Sequence, residues 1–216
     1  MTLAIFGGSG RTGKLLVHQA LDRGFKVRVL VRDPARLRIK HEGLELITGG
    51  LDEADAVLRT LTGATVVISV LGPASNQAVS AISNGMSVIL RSMQELGMMR
   101  IVMTAGAGVG DPLDHPRPAD RLVSLALRLL AGNVLADMTR CVKLVRESTL
   151  DWTIIRLPML TDSPPSGRVQ MGYLGSGIGS RISRHDVAGY LLDHLQDQSL
   201  IRKAPVIADG PRQTKV

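Results

Sequence analysis

The chain has 216 residues, 44% of them hydrophobic, which is enough to bury one well-packed core and excludes general disorder. No uninterrupted apolar run nears the roughly 18 residues that cross a bilayer, so no membrane span is expected, and the direct entry from Met1-Thr2 into an apolar run predicts a cytoplasmic protein. The net charge of +7 does not point to nucleic acid, because the basic residues are scattered and the five aromatics form no interleaved platform. Cys141 stands alone, so no disulfide can form within the chain.

The first apolar run, Leu3-Ala4-Ile5-Phe6, predicts a buried strand. It leads into Gly7-Gly8-Ser9-Gly10-Arg11-Thr12-Gly13 and then a helical pattern carried by Leu15, Leu16, His18, Gln19 and Leu21. Strand, tight glycine turn and helix make a phosphate cradle. Glycine lets the backbone approach a pyrophosphate, and unpaired N–H groups at the positive end of the helix dipole face its charge. Residues 8–14 also match the start of a P-loop, but that motif continues with a Ser or Thr that holds Mg²⁺, and Leu15 has no oxygen to offer. The other match, G-x-G-x-x-G from Gly8 or G-x-x-G-x-x-G from Gly7, is the dinucleotide fingerprint.

A second strand, Lys26-Val27-Arg28-Val29-Leu30-Val31, ends close to the ribose-reading position, about 20 residues on. There the chain has Arg32-Asp33-Pro34-Ala35-Arg36. A carboxylate in first place would select NAD by accepting from the 2′-hydroxyl. A guanidinium in first place, with Arg36 a helical turn on and Arg11 within reach, suits a 2′-phosphate and predicts NADP(H) over NAD(H). Asp33 leaves room for NAD, and solvated loop charge is the alternative for Arg32 and Arg36.

Leu44-Glu45-Leu46-Ile47-Thr48 predicts strand three, residues 53–61 a helix closed by Gly63, and Thr65-Val66-Val67-Ile68-Ser69-Val70 a central strand covered on both faces. A helix over 76–95 ends near Gly97, followed by strands Arg100-Ile101-Val102-Met103-Thr104 and Trp152-Thr153-Ile154-Ile155-Arg156. The alternation predicts a Rossmann-like, doubly wound parallel sheet in a three-layer α/β/α arrangement, one domain over residues 1–216. Ligands of such sheets lie across the carboxyl ends of the strands. The candidate cofactor contacts are therefore Gly7, Gly8, Ser9, Gly10, Arg11, Thr12, Gly13, Arg32, Arg36, Gly50, Leu51, Leu71, Gly72, Thr104, Ala105, Gly106 and Pro158.

Five segments carry a family resemblance: the glycine turn, Leu30-Val31-Arg32-Asp33-Pro34-Ala35-Arg36-Leu37, Val67-Ile68-Ser69-Val70-Leu71-Gly72, Glu147-Ser148-Thr149-Leu150-Asp151-Trp152-Thr153-Ile154-Ile155-Arg156-Leu157-Pro158, and Ile182-Ser183-Arg184-His185-Asp186-Val187-Ala188. Together they resemble the atypical short-chain dehydrogenase/reductases, in the NAD(P)H-binding group of flavin reductase/biliverdin-IXβ reductase and the NmrA-like proteins. The resemblance implies the fold and the cofactor. Its substrate class is wide, from reductases through epimerase-like enzymes to redox sensors.

Most short-chain dehydrogenases use a Tyr-x-x-x-Lys pair to pass a proton. Here the helix expected over 137–148 offers Lys143 with Thr139 four residues earlier, and Tyr173 and Tyr190 lie beyond strand six. Flavin and biliverdin reductases of this resemblance do without the tyrosine, since a conjugated acceptor spreads the charge itself. Thr104, where the family often has serine, is a candidate to bond the nicotinamide amide or the acceptor, with a backbone-bonded hydroxyl as the alternative. Lys143 is a candidate for the cofactor ribose, with plain exposure beside Thr139 and Glu147 as its alternative.

The expectation is an NADPH-dependent reductase of a small acceptor, a flavin, quinone or biliverdin-like tetrapyrrole, acting as monomer or homodimer. A non-catalytic NADP(H)-binding regulator of NmrA-like type and a nucleotide-sugar epimerase or dehydratase are the alternatives. The acceptor site is expected from about 106–136 and 159–182, including turn-rich stretches at 162–167 and 172–179. Residues 121–131 read as a helix apolar on almost every side, interrupted only by Ser124 and Arg128, for which core, dimer contact or acceptor lid are the options. His18, His41, His115, His185 and His194 have no metal-ligand spacing, so no metal is expected. His185-Asp186 opens a helix reaching about Leu195, with Asp186 on the dipole and His185 fixing the turn.

Overall fold

The computed structural model describes residues 1–72, 80–116 and 132–210. Its elements in chain order are β1 (Thr2–Phe6), α1 (Arg11–Asp22), β2 (Lys26–Val31), β3 (Leu44–Thr48), α2 (Ala54–Leu61), β4 (Val66–Ser69), α3 (Ala81–Glu95), β5 (Arg100–Gly106), α4 (Gly132–Glu147), β6 (Asp151–Leu157), β7 (Met159–Thr161), β8 (Val169–Gly172), β9 (Arg181–Ser183), α5 (Arg184–Asp193) and β10 (Val206–Asp209). The main sheet runs β3-β2-β1-β4-β5-β6-β10-β8. Every pairing in it is parallel except that of β8 with β10. The strand order reverses between β1 and β4, which makes the crevice above that pair the switch point where ligands of such sheets bind.

Alternation along the central strands sorts side chains onto two covered faces. Phe6, Val67, Met103 and Ile154 pack against Val57 of α2, Met86 and Ile89 of α3 and Cys141 and Val145 of α4. Ile5, Ile68, Val102 and Ile155 pack against Leu16 and Val17 of α1 and Val187 and Leu191 of α5. This is the three-layer Rossmann-like arrangement read from the pattern. Gly63 and Gly97, at φ +75° and +65°, turn the chain out of α2 and α3 in a conformation that side chains resist.

The differences lie at strand ends and after β6. β5 continues two residues past Thr104, to Gly106, in register with Leu157 of β6. After β6, where the sequence reading has turn-rich stretches at 162–167 and 172–179 and one helix, the structure adds β7, β8, β9 and β10, three or four residues each and too short for a period to emerge. α5 stops at Asp193, two residues short of Leu195. The helix expected over 121–131, and residues 76–79 of the one expected over 76–95, lie outside the described residues, and Ser80, at φ +68°, stands before the start of α3 at Ala81.

Two buried carboxylates tie this frame together. Asp137 of α4, 2% exposed, accepts from the backbone N–H groups of Ile82 (2.9 Å) and Ser83 (3.3 Å), so one helix caps the next. Asp114 takes a two-pronged bond from the fully buried Arg156, Nη1 at 2.6 Å and Nη2 at 2.8 Å, and also accepts from the N–H groups of Asp111 and Leu174. Burial alone would raise both carboxyl pKa values. In Asp137 the bonds from Ser83 and Ile82, and in Asp114 those from Arg156, Leu174 and Asp111, outweigh it and hold them below the ordinary value. Burial, with Asp137 adding to it, pushes the Cys141 thiol up to about 12, so it is an inert core residue.

A folded-state pKa held down stabilises the protein above the unfolded pKa of about 4, and the gain is lost as pH falls through the folded value. Asp137→Asn is therefore expected to lower stability at pH 7 by about 1–3 kcal/mol. The gap from the parent protein closes below about pH 4 in urea unfolding followed by circular dichroism. A gap that persists at low pH would refute the charged cap.

Candidate cofactor-binding site

β1 delivers the chain to Gly7 at φ +86°, where a Cβ would sit 2.8 Å from the carbonyl of Val70, so the turn passes hard against the exit of β4. A Cβ on Gly13 would lie 2.1 Å from the Gly7 oxygen and 2.7 Å from Gly8 Cα. The first turn of α1 thus packs directly on the glycine turn. Gly10 N-caps α1 without a side-chain bond, and the first turn holds no acidic residue. The N–H groups there keep their capacity for an anion, at the end where the helix dipole favours one. Ser9 and Gly10 are part-exposed and exposed, and Arg11 and Thr12 are exposed and part-exposed, while Gly8 and Gly13 are buried.

Arg32, at the exit of β2, and Arg36, in a one-turn 3₁₀ segment, are both exposed. Among the described residues neither has a carboxylate partner. The carboxylate of Asp33 instead accepts from the N–H of Ala35 at 3.0 Å, capping that turn. Beside Arg36 a cleft of about 490 Å³ opens between α1 and the 3₁₀ segment, lined also by Lys14, His18 and Arg38. Arg11, Lys14 and His18 follow the three- and four-residue spacing of one helix face, a signal the sequence carried and the motif reading passed over.

At the other strand exits, Gly50 is buried and donates its N–H to Glu53 Oε1 (2.8 Å), and Leu51 packs against the core. Leu71 is part-buried and Gly72 has open space where a Cβ would be. Thr104 is buried inside β5 rather than at its end, its hydroxyl 3.5 Å from the carbonyl of Ser69. Ala105, 3% exposed, points its methyl into the core, and the open rim of β5 begins at Gly106. Pro158 is part-buried between β6 and β7.

The Lys143 side chain is 72% exposed and sits 3.7 Å from Glu147 one turn along α4. Both tyrosines lie beyond β6. Tyr190 is 8% exposed and burial, with Asp197 adding, pushes its phenol up to about 12; Tyr173, raised first by burial and then by Asp111, stacks near the Arg156 guanidinium, 5.7 Å from its ring centre. Among the described residues no group of three or more His, Cys, Asp or Glu side chains could hold a metal.

Asp162, the first residue of the turn-rich stretch 162–167, bridges Arg11 of the glycine turn (3.4 Å) and Arg184 of α5 (2.6 Å), the latter nearly buried. Ser183 N-caps α5 by accepting from the Asp186 N–H (3.0 Å), and Asp186 accepts from the N–H groups of Ser166 (2.7 Å) and Gly167 (3.2 Å). The loop at 162–167 is held by that carboxylate. His185 contributes a carbonyl to Gln19 (3.1 Å), and the turn is fixed by Ser183 and Asp186 instead.

A family model described as NAD(P)H-binding matches residues 7–198. Dihydroflavonol 4-reductase of Hordeum vulgare is 31% identical over 134 residues, 54% of this chain, and the match covers only 38% of that enzyme's length. A short-chain dehydrogenase/reductase of Veillonella parvula in complex with NADP superposes with a TM-score of 0.81 at 20% identity, over 96% of this chain and 94% of that one. The anaerobillin reductase ChuY of Escherichia coli O157:H7 gives 0.79 at 18% identity over 99% of each chain. At such identities the structures share the fold. The matched residues start at the first glycine of the turn and run past α5, taking in every strand of the main sheet except β1 and β10: the chain belongs to the NAD(P)H-binding family.

Proposed function

We propose that the chain is an NADPH-dependent reductase that passes hydride to a small conjugated acceptor, a flavin, quinone or biliverdin-like tetrapyrrole, without a Tyr-x-x-x-Lys pair. The observation that carries this reading is the glycine cradle. Side chains at Gly7, Gly8 or Gly13 would collide with neighbouring atoms, and the uncapped, acid-free start of α1 leaves N–H groups for a pyrophosphate. In this reading Gly7, Gly8, Ser9, Gly10, Thr12 and Gly13 hold the pyrophosphate, and Gly50, Leu51, Leu71 and Gly72 line the adenosine side. Arg32 and Arg36, with Arg11, take the 2′-phosphate. That Asp33 is engaged with Ala35 supports NADP(H) over NAD(H), because its carboxylate is committed to the turn.

Bound NADPH supplies a hydride, which a conjugated acceptor takes up with a proton from water. The chain's part is to hold the two flat and close at the exits of β4, β5 and β6, between the segment from Gly106 and the β7–β9 pair. Thr104, whose bond to Ser69 is long, positions the amide or the acceptor from below. Lys143, exposed on α4, is the candidate for the cofactor ribose. The name of the E. coli neighbour supports the tetrapyrrole end of the acceptor class. The lack of a Tyr-x-x-x-Lys pair, with Thr139 four residues before Lys143, suits an NmrA-type regulator equally well.

Turnover decides between these. NADPH oxidation followed at 340 nm is expected to exceed the enzyme-free control with FMN, a small quinone or biliverdin; binding of NADPH without oxidation by any acceptor would favour the regulator. Arg32→Ala is expected to weaken NADPH by about 1.5–3 kcal/mol and NADH far less in calorimetric titration, and equal loss for both would end the 2′-phosphate assignment. Asp162→Asn removes an exposed negative charge beside Arg11 and is expected to tighten NADPH about two- to fivefold at low salt, an effect that fades at 0.5 M salt as screening sets in. Unchanged affinity at low salt would show that Asp162 does not compete for Arg11.

A further inference from the structure

Among the described residues two arginines are buried, Arg156 and Arg184. Arg156 spends its guanidinium on the frame, where Asp114 and the carbonyls of Val109 and Ala204 surround it. Arg184 differs. It is 7% exposed, yet the side chain of its partner Asp162 is 67% exposed, and it opens α5, where the positive end of the helix dipole disfavours a cation. A buried charge needs its counter-charge, so Arg184 depends on Asp162.

Strand register brings the two together. β7 and β9 run parallel, pairing Met159 with Arg181, Leu160 with Ile182 and Thr161 with Ser183, and the next step of each chain is Asp162 and Arg184. Beyond Asp162, Pro164 and Pro165 fix two backbone angles, and the N–H groups of Ser166 and Gly167 close on Asp186. Asp162 is thus held on both sides while its carboxylate still reaches solvent. Its Oδ1 accepts from Arg184 Nη1 at 2.6 Å, and its Oδ2 lies 3.4 Å from Nη1 of Arg11, whose side chain is 74% exposed.

The shorter and drier pair is the stronger one. A 2.6 Å bond to a nearly buried cation outweighs a 3.4 Å contact between two exposed side chains, which contributes little and is screened by salt. Arg184 therefore takes most of the Asp162 charge, and Arg11, the first residue of α1, is held only loosely. We propose that Arg184 is a positioning residue of the cofactor cradle: by engaging Asp162 it keeps Arg11 available to the phosphates of NADPH. It acts through Asp162 and not by contact with the cofactor, and the role rests on the glycine turn taking the dinucleotide, as proposed above.

Without Arg184 the full Asp162 charge is left to Arg11, so Arg184→Gln is expected to weaken NADPH about two- to fivefold in calorimetric titration at low salt. In the Asp162→Asn background the same substitution is expected to change affinity by less than about 1.5-fold, because the competing carboxylate is gone. Damage to the fold, or the mere loss of a positive charge, lowers affinity in both backgrounds, so equal weakening in the two would overturn the proposal. Should Arg184→Gln not fold, Asp162→Asn carries the test. Its urea midpoint is expected to fall by about 0.5 M even as NADPH binds more tightly, since the buried Arg184 loses its counter-charge. An unchanged midpoint would overturn the dependence of Arg184 on Asp162 and the proposal with it. A parent protein that takes up no NADPH would overturn the cofactor reading as well, whereas equal weakening in the two backgrounds leaves that reading standing.

Discussion

The backbone of Gly7 runs against the carbonyl of Val70, and α1 begins so close that Gly13 has no room for a Cβ. Everything at the ligand end of the molecule follows from that contact. It joins β1 to the exit of β4 at the point where strand order reverses, and it aims the open end of α1 across the crevice between them. Shape and charge are set together here, because the same absence of side chains that allows close packing also leaves peptide N–H groups uncovered.

Apolar patterning builds the sheet and its two helical layers, but buried polar groups decide how the later segments lie. Asp137 couples α4 to the start of α3, Asp186 holds the loop at 162–167, and Arg156 with Asp114 binds β6 to the segment after β5 and to Leu174. Losing one partner of the Arg156–Asp114 pair would leave the other's charge without its counter-charge, with Arg156 fully buried, at a cost of about 3–5 kcal/mol. Such pairs add little net stability over an apolar equivalent. What they provide is a single arrangement for loops whose own sequences specify little.

Charge distribution also gives the net +7 a physical reading. Arg11, Lys14, Arg32, Arg36 and Arg38 gather around the glycine turn and the cleft beside it, and two acids there are engaged, Asp33 in a turn and Asp162 between two arginines. The ligand end therefore presents cations to solvent. This is the field that a polyanionic dinucleotide meets on approach.

The sequence by itself determined the fold class, the six parallel strands from β1 to β6, and the glycine turn with Arg32 behind it. Each of these rests on interactions between residues near in sequence, a strand period, a helix period or a turn that only glycine can make. The tertiary structure decided what depends on residues far apart. Thr104 and Ala105 read as a strand end until pairing with β6 carried β5 on to Gly106, and Ala105 was buried by that continuation. Lys143 went to solvent because Cys141, Val142 and Val145 took the buried face of α4. Asp162 reached Arg11 across 151 positions, and β10 joined the sheet from residues too few to show a period. Short strands and lone charges carry no local pattern, so their places are set only when packing brings their partners to them.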